Sequence, residues 1–133
     1  MSISSNINNL QKNEGIIVKE PKIIKINRSE PFNPVTFCGR GWHIYEQDKR
    51  SVNLTEIDLN KVILETTLEN NEETVNGEEK LERLKRKNYI RLDAGIFKTL
   101  WENQSLIPEE WKKKYNAIFS TVFFHGTIFW TEN

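Results

Sequence analysis

The sequence predicts an α+β fold: a small antiparallel sheet of four to five strands, with two helices inserted before a C-terminal hairpin. Three observations lead there. Short runs of β-branched and aromatic residues recur towards both ends of the chain. Two helical patterns with matched caps and terminal charges lie together in the second half. The 133 residues suffice for one hydrophobic core and fall short of two ordinary ones. The predicted organisation is a flexible tail over residues 1–14 and a single α+β domain over 15–133.

The tail, MSISSNINNLQKNE, is polar and shows neither apolar period, so it buries too little to offset the entropy of ordering. In GIIVKEPKIIKI, proline removes a ladder donor and separates two Ile/Val runs, which places a strand near residues 22–27. Asn33 before Pro34 caps a helical turn over Pro34 to Cys38, stopped by Gly39. Trp42 to Gln47 alternates as a strand does, with Trp42, Ile44 and Glu46 on one face. Residues 51–68 fit neither period; a helical turn around Thr55 to Asn60 and a strand at Lys61 to Thr67 suit the β-branched run best. ENNEETVNGEE is loop by composition.

Asn76-Gly77 opens a helix, EEKLERLKRKN, with acids in its first turn and bases in its last. Asp93 caps a second helix, AGIFKTLWEN, with Phe97, Leu100, Trp101 and Gln104 at helical spacing and Leu106-Ile107 behind them. Pro108 starts a last helical turn, PEEWKKKY. The final stretch, AIFSTVFFHGTIFWTEN, reads as a hairpin whose two-residue turn is His125-Gly126, histidine being among the residues that tolerate positive φ.

Lys plus Arg balances Asp plus Glu at 19 each, so summed charge gives no long-range attraction to nucleic acid or an anionic membrane. One cysteine cannot form an internal disulfide, and no apolar run of membrane-spanning length occurs. A cytoplasmic protein with no membrane partner is expected. The chain lacks HxH, HxxxH and CxxC spacings, so no metal or other cofactor is expected.

In FCGRGWHIY, Cys38 and His43 nominally supply a nucleophile and base, but a strand carries His43 away from Cys38. Cys38 reads instead as a buried thiol before a glycine-hinged turn, and a Cys/His enzyme ranks third among the functional readings. Gly39, Arg40 and Gly41 expose backbone N–H groups that suit an anion only weakly; a turn or bulge is the simpler use of two glycines. Charge is segregated: eight acids and one base lie between Glu56 and Glu79, six bases and one acid between Lys80 and Arg91. Five aromatic rings, Phe119, Phe123, Phe124, Phe129 and Trp130, crowd the last strands and occupy both faces, more than a small sheet covers alone.

Segments KIIKINRSEPFNP, GRGW, EQDKRSVNLTEIDL, NGEEKLERLK, IRLDAGIFKTLWENQSLIPEEWK and FFHGTIF resemble a family of short bacterial hypothetical proteins without an assigned activity. The likeness spans roughly residues 22–130. It implies a bacterial, cytoplasmic, single-domain protein and brings no catalytic residues. The resemblance further implies relatives that often carry Asp where His125 stands and continue into a further tryptophan-rich strand pair, so an early stop at Asn133 is expected.

The favoured function is a non-enzymatic interaction protein that docks a protein partner or a second copy of itself. Its predicted apolar anchors are Trp101, Trp111, Phe124 and Trp130, and its charged rim is Arg83, Arg86 and Lys87. The alternative is a nucleic-acid binder using residues 80–91 and Lys112–Lys114.

Overall fold

The computed structural model describes residues 2–5, 20–112, 114–115, 118–119 and 123–132. In chain order the elements are β1 (Ser2–Ser5), β2 (Ile23–Lys25), α1 (Pro34–Cys38), β3 (Trp42–Gln47), α2 (Lys49–Val52), β4 (Glu56–Asp58) and β5 (Val62–Glu65). They continue with α3 (Gly77–Arg86), β6 (Ile90–Arg91), α4 (Ala94–Glu102), β7 (Lys114–Tyr115), β8 (Ile118–Phe119), β9 (Phe123–Phe124) and β10 (Thr127–Thr131). Short 3-10 turns stand at Leu59–Lys61, Gln104–Leu106 and Glu109–Lys112. The class is therefore mixed helix and strand, as predicted.

Each helix start depends on one side chain. Asn33 accepts the Val35 N–H, Asp48 the Arg50 N–H, Asn76 the Glu79 N–H and Asp93 the Gly95 N–H. Such caps contribute about 1 kcal/mol each. In α3 the acids Glu78 and Glu79 open the helix and Arg83, Lys85 and Arg86 close it, matching the helix dipole. In α4, Ile96 and Leu100 sit one turn apart and are 0% and 2% exposed, so this stripe faces the core. There they meet Ile24, Ile26, Ile57, Leu59, Ile90, Leu92 and Trp111. Leu106 and Ile107 pack against the same cluster.

The strands do not form one sheet. β2 pairs antiparallel with β4, placing Ile24 opposite Ile57; β3 pairs with β10, and β7 with β8. A four-stranded sheet is assembled around β1, which is antiparallel to β5 and β6 and parallel to β9. The expectation of a single sheet of four to five strands thus gives way to four small sheets among the described residues. The strands run only two to six residues before a turn, cap or bulge interrupts them, too short to share one continuous ladder. Ser2–Ser5, expected within the tail, instead takes main-chain partners from three strands; residues 6–14 lie outside the described residues.

The predicted C-terminal hairpin also differs. β9 and β10 succeed one another across His125-Gly126, yet β9 pairs with β1 and β10 with β3. Among the described non-glycine residues only Asn71 and Asn88 have positive φ, and the positive-φ glycines are Gly39 and Gly41, so His125-Gly126 is not the mirror-image turn a tight hairpin needs. Gly126 serves close approach instead. Its N–H donates to the Leu92 carbonyl and its carbonyl accepts from the Asp48 N–H, both at 2.8 Å. A Cβ there would overlap the Arg91 carbonyl oxygen. The chain is thereby tied to the β6–α4 junction rather than folded back on itself.

The β3–β10 ribbon carries a bulge. Phe129 is opposite Ile44 and Ile128 opposite Glu46, leaving Tyr45 without a counterpart and 72% exposed. Within residues 51–68 the strand expected at Lys61 to Thr67 is found as β5, whereas the helical turn expected around Thr55 to Asn60 is replaced by β4 and a 3-10 turn at Leu59–Lys61, because the chain changes state every few residues there.

Candidate interaction site

α1, the start of α4 and strands β9 and β10 converge on an apolar bowl of about 410 Å³. Phe32, Phe37, Cys38, Ala94, Phe97, Trp101, Phe123, Phe124 and Phe129 line it. The rings interlock at preferred offsets. Phe32 stacks on Phe37 with centroids 5.0 Å apart, and Phe97 meets Phe37 and Phe124 edge-on at 5.9 and 5.5 Å. Trp101 extends the wall 5.9 Å from Phe97 and remains 56% exposed. Cys38 is exposed in this bowl, not buried as its position before a glycine turn suggested. The sequence placed the surplus rings on a hairpin; in the structure Phe123, Phe124 and Phe129 of that stretch are joined in the bowl by Phe37 of α1, Phe97 and Trp101 of α4, and Phe32 just before α1.

The bowl rests on a buried polar cluster. Asp93 is 2% exposed and receives Arg28 at both carboxylate oxygens, at 2.8 and 3.1 Å. Ser51 donates its hydroxyl to Asp93 Oδ1 at 2.5 Å and accepts the Asp93 N–H at 2.8 Å. The Thr127 hydroxyl accepts the Ala94 N–H and donates to Gln47, which fixes β10 against the first turn of α4. Burial pushes the Asp93 carboxyl up, but the Arg28, Ser51 and Gly95 donors outweigh it and hold it below the usual carboxylate range. A neighbouring cleft of about 320 Å³ exposes part of this cluster, with Arg28, Gln47, Asp93 and Lys98 on its walls.

The predicted anchors are divided. Trp101 and Phe124 belong to the bowl. Trp130 neighbours Phe129 on β10 and stacks on His43 at 4.4 Å, away from the bowl lining. Trp111 is 9% exposed and sits in the core. His43 Nε2 lies 2.6 Å from Glu132 Oε1, so its described polar contact is with Glu132, while Cys38 faces aromatic rings. Gly39 and Gly41 have φ of 103° and 81°, the left-handed region that glycine tolerates, and the Gly41 carbonyl accepts the Glu132 N–H. Arg40 between them is exposed.

The basic stretch is largely neutralised by its own chain. Arg83 is 10% exposed at its side chain and paired with Glu69, Glu72 and Glu79, and it also donates to the Thr67 carbonyl. This clamp draws the Glu72 carboxyl down to about 2. Lys85 lies against Glu46, Arg86 against Glu79, Lys87 against Glu65 and Lys112 against Glu109. Lys113 lies outside the described residues, and Lys114 is described only as backbone of β7. Lys80 differs. Its Nζ lies 4.3 Å over the Phe123 ring, and no carboxylate faces it among the described residues.

His125 stacks on Phe123, and its buried Nε2 has no hydrogen-bond partner among the described residues. Burial and the positive charges of Lys80, Arg91 and the amino terminus hold its pKa down at about 4, from an ordinary 6.5. The unfolded chain therefore binds a proton at higher pH than the folded one, and stability from this group is full above 6.5 and falls as pH drops towards 4. Urea unfolding in steps between these values should show that loss, and His125→Gln should remove this segment of the slope while leaving the carboxylate limb at lower pH.

Comparison with models of known families found no match, and neither did comparison with curated proteins or with solved structures. Among the described residues no helix is long and apolar enough to cross a membrane, and no cluster of three metal-ligating side chains is present.

Proposed function

We infer that the chain is a non-enzymatic interaction protein whose aromatic bowl takes an apolar side chain of a protein partner. One observation carries this reading: seven aromatic rings, from the turn before α1 and from α1, α4, β9 and β10, enclose an open, carbon-faced hollow of about 410 Å³, and two of them, Trp101 and Phe123, are 56% and 46% exposed. Contiguous apolar surface of this kind is uncommon on a protein that acts alone. Lys80 of α3 adds charge at the Phe123 end, so the fitting partner segment has an apolar residue flanked by an acid. The charged helix contributes through Lys80, whereas Arg83 fastens the acidic loop to α3. The nucleic-acid alternative is weakened by the pairing of Arg83, Lys85, Arg86, Lys87 and Lys112 with carboxylates, which leaves little charge to displace counterions from phosphates.

Peptides selected from a random display library against the chain should share an apolar residue beside Asp or Glu. They should also protect Cys38 from iodoacetamide. Trp101→Ala should weaken them by about 2 kcal/mol, roughly thirtyfold, and Trp130→Ala should leave them unchanged. Binders that ignore Trp101 and leave Cys38 open to alkylation would refute the reading.

A further inference from the structure

Resting on the protein-docking reading above, we propose that the slot between β5 and the β6–β9 edge is the site for an extended strand of the partner, and that β1 is a stand-in the partner displaces. The walls of this slot do not pair with each other: β5, β6 and β9 are joined only through β1 among the described residues. Ser2–Ser5 runs opposite Glu65–Val62 on one edge; on the other, Ser4 and Ser5 face Arg91 and Ile90, and Ser2 and Ile3 face Phe123 and Phe124. Strand addition of this kind draws its affinity from main-chain hydrogen bonds, which any extended segment supplies.

The occupant suits the slot poorly. The walls present Val62, Ile63, Leu64, Ile90, Phe123 and Phe124, rich in strong strand formers. The occupant is Ser-Ile-Ser-Ser, three of its four residues a type with little preference for strands. It also carries no acid, although Lys80 stands over Phe123 at the β9 edge. Glu65, opposite Ser2, is taken by Lys87. A strand of alternating β-branched residues preceded by an acid would match both the walls and Lys80. Its direction is set: antiparallel to β5 and parallel to β9. Because β9 carries Phe123 and Phe124 into the bowl, slot and bowl form one continuous surface, and whatever fills the slot holds the bowl wall in place.

The test locks the stand-in. Ser4 and Ile63 are antiparallel partners, whose Cβ atoms lie about 4.5–5.5 Å apart in such pairs, close enough for a disulfide to form with slight adjustment. In a Cys38→Ser background, the Ser4→Cys/Ile63→Cys chain is assayed by fluorescence anisotropy with a fluorescein-labelled peptide, an aspartate followed by alternating valine and threonine. The reduced chain should bind it, and oxidation should weaken binding at least about tenfold by holding β1 in cis. Ser5→Cys/Val62→Cys, a second opposed pair, repeats the measurement in case the first variant is misfolded by near-ultraviolet circular dichroism. Equal binding in both redox states overturns the proposal, as does an oxidised product consisting mainly of disulfide-linked dimers, which would make a second copy the occupant. If the strand peptide fails to bind while the display-selected peptides still protect Cys38 in the unmodified chain, the strand proposal falls and the bowl reading stands.

Discussion

Gly126→Ala is expected to unfold the protein or come close to it. The added Cβ would overlap the Arg91 carbonyl oxygen and the Leu92 carbonyl carbon, and would lie 2.5 Å from the Leu92 oxygen. All three are main-chain atoms, so no side chain can swing away. Leu92 is fully buried in the core, and Gly126 is held on both sides by hydrogen bonds to Leu92 and Asp48. Relief requires moving β10 away from the β6–α4 junction, which breaks those bonds and opens the core. A loss of about 3–5 kcal/mol is expected, a large part of the stability of an ordinary domain. Urea denaturation and soluble yield would register it. Gly77→Ala is the control, since a Cβ there meets nothing within 4 Å at the start of α3, and it should be neutral or slightly stabilising. A Gly126→Ala chain that unfolds at the same urea concentration as the parent would contradict the packing described.

Asp93→Ala should be at least as damaging, through charge rather than volume. It removes the carboxylate that receives Arg28, Ser51 and the Gly95 N–H, leaving a partly buried guanidinium without its counter-ion. Breaking such a pair by deleting one member costs about 3–5 kcal/mol, and the lost helix cap adds about 1 kcal/mol. The pair itself is expected to contribute far less than that. Arg28→Met with Asp93→Leu should recover much of the loss, because desolvating two charges offsets most of their attraction. Thermal unfolding of the two single variants and the double variant closes the cycle, and a double variant as unstable as the sum of the singles would show that the cluster acts through shape. The sign of the shift sets the pH dependence. Asp93 and Asp48 are both held below the ordinary 3.8, so the stability they contribute is present above that value and is lost as pH falls through their lower folded values. This limb is separate from the His125 segment at higher pH.

Much of the local structure was legible because it depends on neighbours in sequence. Asn33 with Pro34, Asn76 with the acids after it, and Asp93 before Ala94 each cap the predicted helix, since a cap is decided within three residues. The alternation at Trp42 to Gln47 marked a strand for the same reason. α2 escaped notice because a four-residue turn has no periodicity to detect, although Asp48 stood ready to cap it. Pairing was not legible. His125-Gly126 looked like a hairpin turn because nothing local discloses that Gly126 must admit the backbone of Leu92, 34 positions earlier. The bowl was half visible: Phe97 and Trp101 share a helix face, while Phe32 and Phe37 reach them only through tertiary packing. Charge segregation was legible as a pattern, but not that loop acids Glu69 and Glu72 fold back onto Arg83, while Arg86 and Lys87 of the same helix end stay exposed.

The central strand of the largest sheet has a consequence for biogenesis. Ser2 lies opposite Phe123 and Ile3 opposite Phe124, so a segment synthesised early has to wait for one synthesised more than a hundred residues later before its ladder closes. Contacts of such long separation slow folding. While the ribosome is still delivering α4 and the strands beyond it, β1 can reach β5 but keeps an unpaired edge where β9 will lie, and chaperone occupancy should persist until translation has passed β9.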